Sequence, residues 1–161
     1  MLEELLSQAE RIAARLKARG ETISIAESST AGLISAALLA IPGASAYFMG
    51  GAVVYTRQSR SELLRVTEAE LTGITPSTEA YALLFARKIR ERLATTWSIG
   101  ETGTAGPTGS RYGHAPGHSC IAVIGPSGER SITVETGQSD RVDNMRVFSQ
   151  RALELLEQIL G

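Results

Sequence analysis

The hydrophobic positions of this chain follow two periods in turn, and each period predicts a kind of element. Apolar residues at helical spacing over 2–19 predict an amphipathic helix that ends at Gly20. A buried strand is predicted over Thr22 to Ala26, and a helix follows from Leu33 to Ala40. A second strand is predicted at 52–55, after a pair of glycines that allow close backbone approach.

The second half of the chain continues the alternation of helices and strands. A long helix is predicted from 75 to 93, and a third strand over Thr96 to Gly100. Two further strands, Cys120 to Ile124 and Ser131 to Glu135, form a predicted hairpin ahead of the last helix. This order predicts an α/β fold, a three-layer α/β/α sandwich whose mixed sheet is mostly parallel with one antiparallel strand. No repeat or linker interrupts it, so residues 1–161 are predicted to form a single domain.

Length, composition and net charge narrow the classes of partner. Apolar residues make up 43% and charged residues 20% of the 161 positions, as in typical folded domains. The net charge of -1 argues against a broad basic surface for nucleic acid. No apolar run is long enough to span a bilayer, so no membrane partner is expected. The charged segment 1–19 does not resemble a secretory signal, and a cytoplasmic location is expected.

The few reactive side chains limit the available chemistry. Cys120 is the single cysteine, and with two histidines it makes a poor set of metal ligands, so neither a metal nor a cofactor is expected. Only Lys17 and Lys88 carry an amine that can act as a base near neutral pH, because the fourteen arginines stay protonated. Lys88 lies beside the apolar stripe of the predicted long helix, which indicates a surface amine.

The turn between the first predicted strand and the helix after it is unusually polar. It contains the hydroxyls of Ser28, Ser29 and Thr30 and the carboxylate of Glu27. Ser and Thr are preferred at the N-cap of a helix, so a capping role alone accounts for such a turn. The same turn can also bind an anion or present a nucleophilic hydroxyl, because backbone N–H groups at a helix start carry partial positive charge.

Two further polar segments follow predicted strands, at the edge of the sheet where ligands of open α/β folds collect. One runs from Tyr55 to Arg60 and the other from Thr102 to Gly109. The second has glycines three residues apart with threonines between them, a pattern that can aim backbone N–H groups at a phosphate or carboxylate. It matches neither the phosphate-binding-loop signature nor the dinucleotide-binding one. A plain connecting loop is the alternative interpretation.

Four motifs, taken together in their order and spacing, point to one family. They are the segments 26–32 (AESSTAG), 41–46 (IPGASA), 53–60 (VVYTRQSR) and 103–109 (GTAGPTG). Over almost its whole length the chain resembles the C-terminal domain of the CinA family, which includes the nicotinamide mononucleotide deamidases. A glycine–aspartate–arginine element of that family is kept in part as Asp140-Arg141.

The resemblance implies a function. In the deamidases a serine attacks the carboxamide of nicotinamide mononucleotide, a lysine takes the serine proton, and a tyrosine lies nearby. By position, the catalytic residues are implied to be Ser28, Tyr55 and Arg60, with Arg60 at the place of the lysine. The other matched positions are implied to bind the substrate: Glu27, Ser29, Thr30, Gly32, Thr104, Ala105, Gly106, Thr108 and Gly109. The implied partners are a small-molecule nucleotide and further copies of the chain in a homo-oligomer.

Arg60 is the main departure from the family pattern. A guanidinium stays protonated at neutral pH and so does not accept a serine proton. Three alternatives stay open: an amidohydrolase whose base is replaced by His114, His118 or Tyr55, an inactive relative that binds a nucleotide or another small anion, and an oligomerising scaffold with a vestigial pocket. We hypothesise that Ser28 lies within hydrogen-bond reach of Tyr55 or Arg60, and that N–H groups of the helix start stabilise an oxyanion.

Overall fold

The computed structural model describes all residues from 1 to 161 and contains five helices and five strands. The helices are α1 (Glu3–Arg19), α2 (Leu33–Leu39), α3 (Arg57–Leu64), α4 (Glu79–Leu93) and α5 (Arg141–Leu160). The strands are β1 (Ile23–Glu27), β2 (Phe48–Val53), β3 (Trp97–Thr104), β4 (His118–Gly125) and β5 (Gly128–Glu135). None of the helices combines the length and the apolarity that crossing a membrane requires.

The five strands form one sheet in the order β2-β1-β3-β4-β5. β1 pairs in parallel with both of its neighbours, β2 and β3, whereas β4 runs antiparallel to β3 and to β5. Four strands therefore point the same way and β4 alone is reversed, which confirms the predicted mixed, mostly parallel sheet. The carboxyl ends of β1, β2 and β3 meet at one edge of the sheet, and the segments that follow them build the candidate site.

Helices cover both faces of the sheet, which confirms the predicted three-layer sandwich. On one face, α1, α2 and α5 pack on one another and on the sheet around a buried core that includes Leu16, Ile25 and Phe148. On the other face, α4 lies across β1, β3 and β4 and packs with α3 around Phe85. Each face of the sheet thus removes its apolar side chains from water, which is the main source of stability.

Local capping chemistry sets the ends of several helices. α1 ends at Gly20, whose left-handed conformation (φ 63°) lets its N–H bond the last carbonyls of the helix. α3, α4 and α5 begin after Thr56, Thr78 and Asp140, whose side chains accept a backbone N–H of the first turn. These caps determine where the connecting segments leave the layers.

All five strands differ from their predicted bounds by at least one residue, and the largest differences are in β2 and β3. We predicted that β3 ends at Gly100, but it continues to Thr104 because the added residues pair with β4. β2 lies at Phe48–Val53 rather than at 52–55, so Tyr55 stands outside the strand. Pairing with a neighbouring strand decides such boundaries, and a local pattern does not contain that information.

An ion-pair cluster between α1 and α5 leads to a stability prediction. The Glu157 carboxylate accepts hydrogen bonds from Arg11 Nε (2.6 Å) and Gln8 Nε2 (3.0 Å), and these bonds lower its pKa from 4.5 to about 2. A carboxyl whose pKa is lowered by folding stabilises the fold above its ordinary pKa, and this stabilisation is lost as pH falls towards 2. We expect Glu157→Gln to lower the free energy of unfolding at pH 7 by about 1 kcal/mol, since solvent screens partly exposed pairs.

Denaturant unfolding near neutral pH and near pH 2 measures this effect, and the difference between variant and wild type should shrink at the lower pH. Glu154→Gln is the control, because its pair with Arg151 is more exposed and is expected to contribute less. A loss that is the same at both pH values would contradict the assignment to the Glu157 charge.

Candidate active site

A buried carboxylate holds the turn after β1 against the start of α2. Glu27, the last residue of β1, is completely buried. Its carboxylate accepts the N–H groups of Gly32, Ile34 and Ser35. It also accepts the hydroxyls of Thr30 and Ser35. Because a helix start carries partial positive charge, this carboxylate fixes α2 relative to the turn.

A second buried carboxyl, that of Glu101, is not among the site residues that the sequence predicts. It lies on β3, one residue beyond the strand end that the sequence predicts at Gly100. Its Oε2 accepts the N–H groups of Ser28 (3.0 Å) and Thr30 (3.2 Å). Its Oε1 accepts the hydroxyls of Ser29 and Ser119. Burial raises the pKa of Glu101, against the opposing effect of these hydrogen bonds. The only sign of its role in the sequence is that Glu101 is a single acidic residue among small residues.

One backbone N–H of the turn, that of Ser29, has no acceptor in the chain. The other N–H groups from residues 28 to 35 are accepted by Glu101, by Glu27 or by backbone carbonyls. The expectation that several N–H groups of the helix start face an oxyanion is therefore corrected, because Glu27 occupies them. A single free donor is left, and it belongs to the residue after Ser28.

The carboxyl ends of the parallel strands border a cavity of about 570 Å³. Ser28, Tyr55 and Arg60, the residues implied to be catalytic, all line it. The lining contains no acidic side chain and carries three arginines, which are Arg57, Arg60 and Arg111. It also carries four aromatic side chains, which are Tyr55, Tyr81, Phe85 and Tyr112. Cationic and aromatic groups together suit an anionic ligand with a planar ring.

Arg60 is held in the wall of this cavity. The residue is 9% exposed, its Nη1 donates to the Tyr81 hydroxyl at 3.0 Å, and its Nη2 lies 3.9 Å from the Glu68 carboxylate. The Tyr55 phenol oxygen accepts from another arginine rather than from Ser28. The structure thus brings the three groups to one cavity, without a hydrogen bond between Ser28 and either Tyr55 or Arg60.

A smaller cavity of about 240 Å³ adjoins the first one. Tyr55, Gly103, Thr104 and Ser110 line both cavities. The remaining lining of the smaller cavity is Ser29, Ala105, Gly106, Thr108, Gly109 and Arg141. Arg141, at the start of α5, donates to the Gly106 carbonyl and, at 3.4 Å, to the Tyr55 phenol. These contacts connect the glycine loop, residues 103–109, to Tyr55. They also hold the Arg141 guanidinium at the edge of this loop.

Three of the residues implied to bind substrate lie away from both cavities. Instead, the Thr30 hydroxyl and the Gly32 N–H both donate to the Glu27 carboxylate within the turn. Gly103 has a steric role instead, because a Cβ at this position would lie 2.7 Å from the Ser29 Oγ. The glycine leaves the space in which that hydroxyl reaches Glu101.

Both histidines are engaged outside the cavities. His118 contacts the Glu135 carboxylate through Nδ1, and its Nε2 lies 2.7 Å from the Ser77 carbonyl. His114 stacks on His118 with ring centroids 4.1 Å apart, and its Nδ1 lies 3.3 Å from the Ser110 hydroxyl. Burial lowers the pKa of His114. No group of three or more His, Cys, Asp or Glu side chains is arranged to hold a metal ion.

Comparison with known proteins assigns the chain to a family. The family model of the CinA C-terminal domain matches residues 5–160. The chain belongs to this family. CinA-like proteins from Gloeobacter violaceus and a Cyanothece species are 37% and 42% identical to it, over 145 and 113 residues. The matches cover 89% and 70% of this chain but 34% and 27% of the relatives, so the chain spans about a third of their length or less.

Solved structures of CinA proteins share the fold. The competence/damage inducible protein CihA from Agrobacterium tumefaciens superposes with a TM-score of 0.90 at 28% identity, covering 98% of this chain and 96% of that one. A competence or damage-inducible protein from Enterobacter asburiae gives a TM-score of 0.91 at 26% identity, covering 98% of both chains. Family and fold, as the motifs implied them, are confirmed, whereas these names state no reaction.

Proposed function

We propose that this CinA domain hydrolyses the carboxamide of nicotinamide mononucleotide to nicotinate mononucleotide and ammonia. One observation carries the proposal: Ser28 lines the larger cavity and directly precedes Ser29, whose N–H is the one in the turn without an acceptor. Acyl transfer to a serine is favoured by a free N–H donor beside the hydroxyl, because the donor stabilises the oxyanion that forms.

The proposed reaction has two stages. The Ser28 oxygen bonds to the carboxamide carbon as its proton is removed, and the carbonyl oxygen becomes an oxyanion beside the Ser29 N–H. When the oxyanion collapses, the C–N bond breaks and the leaving nitrogen takes up a proton and departs as ammonia. Water then attacks the ester on Ser28, releases the carboxylic acid and restores the hydroxyl.

We assign removal of the Ser28 proton to Tyr55 in its phenolate form, because a neutral phenol cannot accept a proton from serine. Arg60 stays protonated, and His114 and His118 are engaged outside the cavities. Of the replacements that the sequence left open, only Tyr55 lines the larger cavity together with Ser28. Its phenol oxygen also accepts a hydrogen bond from Arg141, which holds it at the border of the two cavities.

The charges of the lining support a nucleotide as the ligand. The larger cavity carries three arginines and no carboxylate, and Arg141 lies beside the glycine loop of the smaller one. Phosphate binds well to arginine side chains, which donate two parallel hydrogen bonds, and to backbone N–H groups of loops. Aromatic side chains of the larger cavity provide surfaces on which a pyridine ring stacks. We assign the phosphate to the smaller cavity and the pyridine ring to the larger one.

Arg60 favours a second candidate function, a domain that binds the nucleotide without turnover. The family position of the base holds a group that cannot accept a proton, and its guanidinium is bound by Tyr81 and lies near Glu68. An arginine there still binds a phosphate or a carboxylate.

Ammonia released from nicotinamide mononucleotide by the purified protein tests the proposal. We expect substrate-dependent ammonia from the wild type. In Arg60→Lys we expect kcat to rise by at least about tenfold, because a lysine amine can take the serine proton at this position. A coupled ammonia assay across a range of pH measures both proteins.

Arg111→Lys is the matched control, because it makes the same exchange elsewhere on the lining of the same cavity. An equal gain in both variants would show that the effect of Arg60→Lys does not depend on its position. Saturable binding of the nucleotide by calorimetry, without ammonia from either protein, would overturn hydrolysis and support the binding domain.

A further inference from the structure

The proposed hydrolysis does not involve Glu101, although its carboxyl group accepts the N–H groups of Ser28 and Thr30. The residue has an exposure of 0%, and no lysine, arginine or histidine is among its hydrogen-bond partners. An ionised carboxylate without a cation is costly in a buried position, whereas a neutral acid with hydrogen-bond partners is tolerated. Burial accordingly raises the pKa of Glu101.

The two oxygens of Glu101 have different surroundings. Oε2 faces two backbone N–H groups of the turn, which can only donate, so this oxygen must accept. Oε1 faces only the hydroxyls of Ser29 and Ser119, which can donate or accept. Ser119 Oγ also lies 3.4 Å from the carbonyl of Thr102, an alternative acceptor for its hydrogen. A proton on Oε1 is therefore compatible with every hydrogen bond around the group.

Two other titratable groups lie near Glu101. Glu27 is linked to it by the Thr30 hydroxyl, which lies 2.6 Å from Glu27 and 3.2 Å from Glu101. The Glu27 carboxylate also lies at the N-terminal end of α2, where the partial positive charge of the helix favours a negative group. Cys120, next to Ser119 on β4, has its thiol pKa raised by burial and brings no positive charge. Of the two linked carboxyls, Glu101 is therefore the one whose surroundings favour the neutral acid.

We propose that Glu101 acts as a neutral carboxylic acid and is a positioning residue of the Ser28 site. Its Oε2 holds the N–H groups on either side of Ser29, so that the Ser29 N–H alone is left for the oxyanion. This inference rests on the proposed amide hydrolysis. Loss of the Glu101 proton puts a second negative charge close to the oxyanion, so activity falls as pH rises through that ionisation.

Glu101→Gln distinguishes a neutral acid from a required carboxylate. The amide oxygen replaces Oε2 as acceptor, and the NH₂ group replaces Oε1 and donates to the two hydroxyls. We expect kcat at neutral pH to fall by no more than about tenfold, with KM within about threefold of wild type, and the alkaline loss of kcat/KM to disappear. Glu101→Leu removes both acceptors and is expected to lower kcat by at least about a hundredfold.

Glu79→Gln is the matched control. Glu79 also accepts two hydroxyl hydrogen bonds, from Ser131 and Thr133, which lower its pKa, but it lies outside the cavities. Its pH profile should match that of the wild type. A Glu101→Gln variant as inactive as Glu101→Leu would overturn the proposal, since it would show that an ionised carboxylate is needed.

Carbon-13 NMR with glutamate labelled at the carboxyl carbon tests the protonation independently of activity. The Glu101 signal is the one missing from Glu101→Gln. We expect it to keep the chemical shift of a protonated carboxyl at neutral pH, and a signal that titrates in acid with the exposed glutamates would overturn the proposal. If the wild type releases no ammonia, the proposed function fails, and the titration still decides the state of Glu101.

Discussion

Ser28→Ala is expected to abolish ammonia release from nicotinamide mononucleotide while the affinity for the nucleotide stays within a few-fold. The Ser28 oxygen is the atom that bonds to the substrate in the proposed reaction, and the methyl group of alanine cannot replace it. We expect kcat to fall by at least about 10³-fold, as in other enzymes that lose a serine nucleophile. Single-turnover ammonia measurements and calorimetric titration with the nucleotide give the two values.

Ser29→Ala is the control for this variant, because it removes a neighbouring hydroxyl but keeps the backbone N–H of the same residue. The Ser29 hydroxyl donates to Glu101, so its loss should disturb the turn and cost less activity than the loss of Ser28. Activity that survives Ser28→Ala and is lost in Ser29→Ala would make Ser29 the nucleophile and would refute the assignment of Ser28.

Gly100→Ala is expected to lower the free energy of unfolding by about 3 kcal/mol or more. A Cβ at this position on β3 would lie 2.0 Å from the carbonyl oxygen of Ala82 and 2.6 Å from the backbone nitrogen of Ala86. Both atoms belong to the backbone of α4, so they can make room only if the helix lifts off the sheet. Urea unfolding of the purified variant measures the loss.

Gly50→Ala is the matched control within the same sheet. A Cβ there would meet the Leu93 Cδ1 at 2.9 Å, and the tip of a flexible side chain can turn away. We expect a loss below about 1 kcal/mol. Equal losses in the two variants would show that the close approach of α4 to β3 is not what makes Gly100 necessary. Because Gly100 directly precedes Glu101 on β3, Gly100→Ala should also lower the rate of ammonia release.

The residue types of the turn predicted a site, but they did not divide the roles among its members. Hydroxyls and a carboxylate between a strand and a helix indicated anion or acyl chemistry, and the three residues implied to be catalytic do line one cavity. The family resemblance implies that Glu27 binds substrate, whereas in the structure its carboxylate accepts N–H groups at the start of α2. The direction of its side chain depends on where α2 packs, which no local pattern records.

The sequence by itself determined the fold class, because alternating helical and strand periods can bury all of their apolar faces only in layers. It also determined which polar segments follow strands, and hence which edge of the sheet carries the candidate site. Only the tertiary structure decided that Glu101 belongs there. Its partners Ser28 and Ser119 are 73 and 18 residues away along the chain, and they meet it because β3 lies between β1 and β4. Desolvation and hydrogen bonding depend on neighbours in space, whereas periodicity reports neighbours along the chain.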